Sequence, residues 1–368
     1  MGIRFDRNTV RPTNGPMIFF SDPSAEADLG EEIRGAISSC LSFYAYRRPG
    51  DMMVSFGSSE GVVRGIGDPG FVISFFNPEE PPVTIPYRPR PDMIRSSSVE
   101  TPLPQESTSR EEHEREIKII QEKLRETGHG KVVAARVLCE RGNVDVAASF
   151  TELCRKFPDS FVFAFSTPLT GCWIGATPEV LLESGRESGL RTMALAGTRP
   201  VGENGEWDEK NIEEQGMVAD YIMDCLSCSG MSVRMGQTCT RPAGNVEHIC
   251  TPIYATPLCD INPKALEKIL GELSPTPALC GLPKAPSLKT IITTEKFQRG
   301  CYGGFCGPFR SSSDFNFFVT LRCAQLGHDR FAVFAGGGIT LRSNPADEWM
   351  ETELKASNIL NNLVTDRG

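Results

Sequence analysis

A short acidic segment near the end of the chain, DEWMETELK at residues 347–355, carries side chains that could hold a metal ion. If the segment is helical, Glu348, Glu351 and Lys355 fall at positions i, i+3 and i+7 and form one polar stripe, while Glu353 points elsewhere. One interpretation is a solvated helix face on which Glu351 and Lys355 make an ordinary ion pair. The other is a pair of oxygen ligands for a hard divalent cation, beside a lysine that binds an anion. The segment alone leaves both open.

A second carboxylate lies on the expected inward face of another predicted helix, EWDEKNIEEQGMVADYIMDCL, which starts at Glu206. The apolar stripe of this helix consists of Met217, Val218, Tyr221, Ile222 and Cys225. One turn before the stripe stands Glu214, whereas Glu213 lies off it. A carboxylate on an inward face must be paired, protonated or bound to a metal; alternatively, the helix end frays into solvent. Carboxylates offered by two helices would suit Mg²⁺, which prefers oxygen ligands.

Two further charged residues adjoin apolar strands. Glu179 follows Pro178 in IGATPEVLL, where apolar neighbours would raise the pKa of its carboxyl group and suit a general acid. Lys131 follows Gly130 and begins the apolar run KVVAARVL, where desolvation would lower the pKa of its amine and suit a general base. The alternative for each is an exposed charge at a strand end. Two turns that contain glycine, in ALAGT and FAGGGIT, could direct backbone N–H groups at a carboxylate, although most such turns bind nothing.

The elements that must position these residues show no strict βαβ order and no internal repeat. Residues 1–87 are typical of short strands joined by turns at glycine and proline. Residues 88–108 are rich in proline and serine and indicate a mobile linker or surface loop. Ser109 opens a helix that Gly128 closes, and later apolar runs such as NFFVTLRCA predict strands. The pattern predicts an α+β fold with large, mainly antiparallel sheets.

Length and composition are typical of a globular, cytoplasmic protein. The 368 residues can bury a sizeable core, and we expect a β-rich part (1–108) packed on a catalytic part (109–368) as one compact domain. The net charge of −9 and the absence of a basic run argue against nucleic acid, and no apolar run approaches a membrane span. Thirteen cysteines stand singly in the chain, a pattern typical of reduced thiols. The first residues, MGIRFDRNTV, lack the apolar stretch of a signal peptide.

Taken in order, these segments resemble the chorismate-utilising enzymes, and in particular their isochorismate synthase branch. The match runs from about Lys131 to Lys355, with the order and approximate spacing of its blocks preserved. The blocks are GKVVAAR, IGATPEVLL, ALAGTRP, KNIEEQ, VEHICTPI, SPTPALCGLPK, YGGFCGPF, VTLRCA, FAGGGI and DEWMETELK. The resemblance implies antiparallel sheets that enclose a deep central site, with helices outside.

The resemblance also implies a role for each matching position. Lys131 resembles the base that activates water for attack at C2 of chorismate, and Glu179 resembles the acid that protonates the departing C4 hydroxyl. Glu214 and Glu351 resemble ligands of a Mg²⁺ ion that bridges to the ring carboxylate, with Glu348 acting directly or through water. The implied substrate-binding positions are Gly197, Thr198, His248, Ala278, Leu279, Tyr302, Arg322, Gly336, Gly337 and Lys355.

Some of these substrate-binding positions carry a more specific role in the family. Arg322 and Tyr302 resemble the pair that holds the enolpyruvyl carboxylate. His248 matches a histidine that faces the substrate ring. Gly197, Gly336 and Lys355 resemble the groups around the ring carboxylate and the metal.

Two positions distinguish the branches of this family by the nucleophile that attacks C2. Aminodeoxychorismate synthases place a nucleophilic lysine before the glycine of the AGT turn, where this chain has Ala196. Anthranilate synthases carry glutamine where this chain has Lys131. The resemblance therefore implies water as nucleophile and isochorismate as product, or salicylate if pyruvate is then eliminated. Ala278 favours the isochorismate synthases, whereas Ser274 departs from the histidine that many of them carry.

The same resemblance implies partners and a pathway. Chorismate is the expected small-molecule substrate, and we expect no glutaminase subunit and a monomer or weak homo-oligomer. A non-catalytic chorismate-binding protein is an alternative of another class, although such a protein needs neither Lys131 nor Glu179. Chorismate and isochorismate are common to menaquinone, siderophore and salicylate biosynthesis; the short N-terminal part favours menaquinone.

Overall fold

The computed structural model of the chain describes residues 17–19, 23–95, 102–128, 130–185, 189–202, 205–244 and 246–366. Within these ranges lie seven helices: α1 (Pro23–Ser38), α2 (Arg110–Thr127), α3 (Val146–Lys156), α4 (Glu209–Cys228), α5 (Pro263–Leu273), α6 (Lys284–Thr294) and α7 (Pro345–Leu360). None of them is long and apolar enough to cross a membrane. The N-terminal segment considered above for a signal peptide lies outside the described residues.

The same ranges contain twenty strands. These are β1 (Met17–Phe19), β2 (Ser42–Arg47), β3 (Met53–Ser59), β4 (Gly61–Arg64), β5 (Gly70–Ile73), β6 (Val83–Pro86), β7 (Ile94–Arg95), β8 (Lys131–Arg141), β9 (Phe161–Thr167), β10 (Gly171–Thr177), β11 (Val180–Gly185), β12 (Gly189–Pro200), β13 (Met231–Met235), β14 (Cys239–Ala243), β15 (Val246–Pro257), β16 (Gly281–Leu282), β17 (Phe305–Ser311), β18 (Asp314–Val319), β19 (Cys323–Leu326) and β20 (Arg330–Ile339).

The strands form two large sheets. Sheet 1 has the order β1-β3-β2-β9-β10-β19-β20-β8-β16, and sheet 2 has the order β13-β15-β12-β11-β18-β17-β5-β6-β4-β7, with β14 paired to β15. Every strand pairing among the described residues is antiparallel. The prediction of an α+β fold with mainly antiparallel sheets is confirmed.

An aromatic core joins the two sheets face to face. Phe161 of β9 stacks on Phe318 of β18 with ring centroids 4.0 Å apart. Tyr46 of β2 stacks in the same way on Phe71 of β5 at 5.6 Å. All four residues are buried, so the removal of large aromatic surfaces from water stabilises this packing.

The helices cover the outer faces of the sheets. Leu29 of α1 and Phe150 of α3 belong to one apolar cluster with strands of sheet 1, and α2 and α6 pack on β8. The predicted boundaries of α2 are confirmed. The Ser109 side chain accepts a hydrogen bond from the backbone N–H of Glu112, and Gly128 ends the helix in the left-handed conformation with φ 78°.

The prediction of strands joined by turns over residues 1–87 was wrong for α1. Its buried residues Leu29, Ile33 and Ala36 recur at helical spacing and pack on sheet 1. The free energy gained by burying this face exceeds the cost of Gly30 and Gly35, each of which destabilises a helix by about 1 kcal/mol relative to alanine. Glycine content therefore gave a misleading signal there.

The proline-rich segment 88–108 is a surface segment attached to both sheets where the structure describes it, through β7 to β4 of sheet 2 and through Thr108 to β8 of sheet 1. It contains the short strand β7, and its end runs along β8. The backbone N–H of Thr108 donates to the carbonyl of Val137 at 2.9 Å. The Thr108 hydroxyl accepts from the backbone N–H of Val137 at 3.2 Å. These two hydrogen bonds fix the end of the segment to β8 of sheet 1.

Two of the crossings that the chain makes between the sheets lie next to each other. The chain leaves sheet 1 after β10 and enters sheet 2 at β11 through Pro178 and Glu179, and it returns from β18 to β19 through Arg322. The backbone N–H of Val319 donates to the Glu179 carbonyl at 3.0 Å, and that of Ala176 donates to the Arg322 carbonyl at 3.1 Å. The paired crossings therefore place Glu179 and Arg322 together at the junction of the sheets.

Candidate active site

A cavity opens at this junction, enclosed by both sheets, α4 and α7. Most of the predicted site residues line it: Glu179, Gly197, Thr198, Glu214, His248, Ala278, Leu279, Tyr302, Arg322, Gly336, Glu351 and Lys355. The remaining three, Lys131, Gly337 and Glu348, lie next to lining residues. Residues predicted from separate motifs are thus brought to one place.

Lys131 begins β8 and is directed at α4. It is 1% exposed, and its Nζ lies 2.5 Å from Oε1 of Glu214. Both side chains pass over Gly338, where an added Cβ would stand 2.6 Å from Lys131 Cε and 2.9 Å from Glu214 Oε1. The alternatives of an exposed strand end and a frayed helix end were therefore wrong for these two residues, because both side chains are enclosed.

The acidic stripe of α7 faces the cavity. Glu351 does form the ordinary pair with Lys355, with Oε1 and Nζ 2.7 Å apart, but both residues line the cavity. The Lys355 ammonium also donates to the Gly336 carbonyl at 3.0 Å. Glu348 is 2% exposed. Glu353 points away, as predicted, and pairs with Arg136.

The glycine run of β20 lies beneath these carboxylates. A Cβ added to Gly337 would stand 2.8 Å from Glu348 Oε2 and 4.0 Å from Glu351 Oε1, and Gly338 approaches Glu214 in the same way. The absence of side chains on the strand thus leaves room where carboxylates of α4 and α7 converge. Among the described residues, no three side chains of the usual ligand types lie close enough together to coordinate one ion, and Glu214 and Glu351 are each paired with a lysine. The donor chemistry fits Mg²⁺.

Glu179 is a buried carboxylic acid in the wall of the cavity. It is 4% exposed, and burial raises its pKa to about 7. The hydroxyl of Thr276 donates to Oε1 at 3.2 Å, which, with the positive charges of Lys131 and Arg322, opposes that rise. The carboxyl group therefore exchanges its proton near neutral pH, as a general acid should.

A bulge in β12 organises the opposite wall. Ala196 pairs with Ile249 and Arg199 with Glu247, so Gly197 and Thr198 together oppose the single residue His248. Gly197 adopts φ 70°, which glycine tolerates without strain. Its carbonyl accepts a hydrogen bond from His248 Nδ1 at 2.7 Å. The bulge thereby fixes the imidazole in the wall.

His248 in turn orients Arg322. The imidazole Nε2 lies 2.6 Å from Arg322 Nη2 and accepts its hydrogen bond, while Nη1 donates to the Ala243 carbonyl at 2.7 Å. Burial and the charge of Arg322 hold the pKa of His248 well below its usual range, so the ring is neutral. Arg322 is buried, keeps its charge, and is directed at the cavity by two acceptors.

Tyr302 and the segment after α5 close the cavity. The Tyr302 ring stacks on Phe334 with centroids 5.5 Å apart, and its hydroxyl lies by Gly336. Leu279 donates its backbone N–H to the Thr276 carbonyl at 2.9 Å. Ser274 ends α5 and does not line the cavity.

Residues 88–364 match a family model that is described as "Chorismate binding enzyme". The chain belongs to this family. Isochorismate synthase MenF of Haemophilus influenzae is 34% identical over 209 residues, 53% of this chain and 46% of that protein. Isochorismate synthase EntC of Escherichia coli K12 is 29% identical over 246 residues, 63% of this chain and 61% of that protein. The chain thus spans less than two thirds of the length of either relative.

A solved structure of a chorismate-binding enzyme has the same fold. It is MenF, the menaquinone-specific isochorismate synthase from Escherichia coli, with a TM-score of 0.73 and 22% identity. The comparison covers 88% of this chain and 89% of that chain. At this identity the likeness shows the fold, with its two sheets and outer helices.

Sequence reasoning missed two polar residues in the site of this chorismate-binding enzyme. Thr276, which bonds Glu179, stands inside the block SPTPALCGLPK, but nothing local marks its hydroxyl as directed at a carboxyl group. Asn211, one turn before Glu214 on α4, lines the cavity and packs on Gly197. Its helical spacing of three residues from Glu214 was the available signal.

Proposed function

We propose that the protein is an isochorismate synthase, an isomerase that converts chorismate reversibly to isochorismate and depends on Mg²⁺. The observation that carries the proposal is the presence of two buried groups in and beside one cavity, an amine at Lys131 and a carboxyl group with a pKa of about 7 at Glu179. Ala196 stands where a lysine nucleophile would be needed for amine chemistry. A base and an acid without such a nucleophile suit water as the attacking group.

The proposed reaction uses each group once. Lys131, as the neutral amine, accepts a proton from water while the water oxygen bonds to C2 and the ring double bonds shift. The C4–O bond breaks, and Glu179 donates its proton to the departing hydroxyl. One water is consumed and one is released, so the net change is an isomerisation. In the reverse direction protonated Lys131 and ionised Glu179 exchange roles.

The walls of the cavity carry Arg322 and Lys355, two cationic side chains that would bind the two carboxylates of chorismate. Arg322, oriented by His248, and Tyr302 would bind the enolpyruvyl carboxylate. Lys355 and the Gly336 turn would lie at the ring carboxylate. Glu214 and Glu351, with Glu348 behind them, would hold Mg²⁺. The ion supplies positive charge that offsets these glutamates and attracts the ring carboxylate.

We also propose a cytoplasmic role in menaquinone biosynthesis. The 34% identical relative is a MenF protein, and all thirteen cysteines are free, as is typical of a reducing compartment. Because Lys131 serves water rather than ammonia, we expect the protein to act without a glutaminase subunit.

Product analysis tests this function. The protein is incubated with chorismate and Mg²⁺, and the products are separated by chromatography. Isochorismate without pyruvate is the expected result. Salicylate with an equal amount of pyruvate would make the protein a salicylate synthase. Binding of chorismate without turnover at saturating Mg²⁺ would make it a non-catalytic chorismate-binding protein.

A further inference from the structure

Strand β8, which begins with Lys131, is paired along almost its whole length on one edge and for only two residues on the other. On the first edge β20 pairs with it from Val132 to Arg141. On the second edge β16 pairs only with Lys131 and Val132. Beyond that point the edge is buried, since Val133 and Ala135 are at most 1% exposed. Buried backbone N–H and C=O groups need partners, so groups outside the sheet must supply them.

An ion pair after α6 supplies two of these partners. The Glu295 carboxylate accepts the backbone N–H of Ala135 at 2.9 Å. Arg299 Nη2 donates to the Val133 carbonyl at 2.8 Å. The two side chains bind each other through Arg299 Nε and Glu295 Oε2 at 2.8 Å and through Nη2 and Oε1 at 2.5 Å. Both are buried, with side chains 1% and 5% exposed.

The same arginine reaches two walls of the cavity. Its Nη1 donates to the Leu279 carbonyl at 2.6 Å, and its guanidinium carbon lies 5.7 Å from the centroid of the Tyr302 ring. Leu279 and Tyr302 both line the cavity, whereas neither Arg299 nor Glu295 does. One guanidinium therefore connects the strand of Lys131 with two surfaces that face the substrate site.

We propose that Arg299 and Glu295 are positioning residues of the active site. They hold the start of β8, and with it Lys131, in register with Leu279 and Tyr302. The role needs the planar fork of arginine, because donors in fixed directions reach the Glu295 carboxylate and two carbonyls at once. A lysine would keep the charge but lose this fixed geometry. The kinetic part of the inference rests on the proposed function; the structural part does not.

Arg299→Lys is the principal test, because it keeps the charge beside Glu295. Arg47→Lys is the matched control. Arg47 is also buried and donates to the backbone carbonyls of Cys154, Phe157 and Ser160, away from the lining of the cavity. For each variant the melting temperature, kcat and KM for chorismate, and backbone hydrogen exchange in peptides from β8 are measured.

We expect Arg299→Lys to lower kcat by about tenfold or more, since small misplacements of catalytic groups are costly. The loss of kcat should exceed any rise in KM, and exchange in residues 131–138 should quicken. Arg47→Lys should lower the melting temperature and leave kcat unchanged. Wild-type kcat in Arg299→Lys, or an equal loss of kcat in both variants, would overturn the inference.

Two further outcomes are decisive. If Arg299→Lys does not fold, the double variant Glu295→Gln/Arg299→Met removes both buried charges and keeps an oxygen for Ala135. It should fold and show the same loss of kcat, and a wild-type kcat would overturn the inference. If the wild-type protein itself does not turn over chorismate, the proposed function fails. Faster exchange of β8 in Arg299→Lys would still support the positioning, and unchanged exchange would refute it.

Discussion

The ammonium group of Lys131 lies 2.5 Å from the carboxylate of Glu214, so the proposed base is bound to a proposed magnesium ligand. While its Nζ is bound to this carboxylate, Lys131 is not placed to bind the water that it would activate. Lys131 must therefore part from Glu214 before it can activate water. Glu351 is paired with Lys355 in the same way. Such a site should be active only when another positive charge replaces the two lysines as the partner of these glutamates.

Turnover of chorismate should accordingly require Mg²⁺ and should stop in excess EDTA. Glu214→Gln should raise the Mg²⁺ concentration needed for half-maximal rate by about tenfold or more. Glu213→Gln is the control, because this neighbouring side chain is 64% exposed and lies outside the cavity lining. Rates are measured against Mg²⁺ concentration; full activity in EDTA, or equal shifts in both variants, would refute the ligand assignment.

Removal of the proposed base should separate catalysis from binding. Lys131→Ala should reduce kcat by about two orders of magnitude or more, the usual effect of losing a general base. Its affinity for chorismate, measured by calorimetry with Mg²⁺ present, should change little. A variant that simply stops binding chorismate would show that Lys131 anchors the substrate instead.

The acid assignment predicts a pH dependence with a definite sign. Because burial raises the pKa of Glu179 to about 7, the protonated form declines as the pH rises through that value. In the pH–rate profile for chorismate, kcat/KM should therefore fall above about pH 7. The reverse reaction, from isochorismate, requires ionised Glu179, so kcat/KM for isochorismate should fall below about pH 7. Glu179→Gln should lose both directions equally; near-normal rates with an unchanged profile would make Glu179 structural.

The neutral imidazole of His248 should act mainly through Arg322. His248→Ala removes the acceptor at 2.6 Å from Arg322 Nη2, so the guanidinium loses one of the groups that direct it. We expect KM for chorismate to rise by about tenfold, the value of one hydrogen bond to a charged group, with a smaller change in kcat. A fall in kcat alone would indicate that the histidine acts on the substrate ring.

Local spacing made the helical part of the site predictable. Glu214 could be assigned to the inward face because the apolar residues of α4 recur every three or four positions, and burial of Val218 and Ile222 bears this out. Glu348 and Glu351 were found in the same way on α7. Helical geometry requires no knowledge of the rest of the fold, which is why the faces that carry these residues could be predicted; their role as metal ligands stays a prediction.

Contacts between distant segments were not predictable from spacing. The approach of Lys131 to Glu214 and that of Thr276 to Glu179 depend on how elements far apart in the chain pack together. The paired crossings between the sheets, which bring Glu179 beside Arg322, have no local signature beyond Pro178. Helix α1 was missed because glycine was weighed above an apolar face whose partner, sheet 1, the sequence does not reveal.

The proposed mechanism is tested most directly by following the oxygen atom that becomes the C2 hydroxyl. Wild-type protein is incubated briefly with chorismate and Mg²⁺ in oxygen-18 water, and the isochorismate formed is analysed by mass spectrometry. If Lys131 activates water and Glu179 releases the C4 hydroxyl, the product must carry one labelled oxygen, located at C2. Isochorismate without label would mean that the hydroxyl moves within the substrate, and it would contradict the proposed roles of both residues.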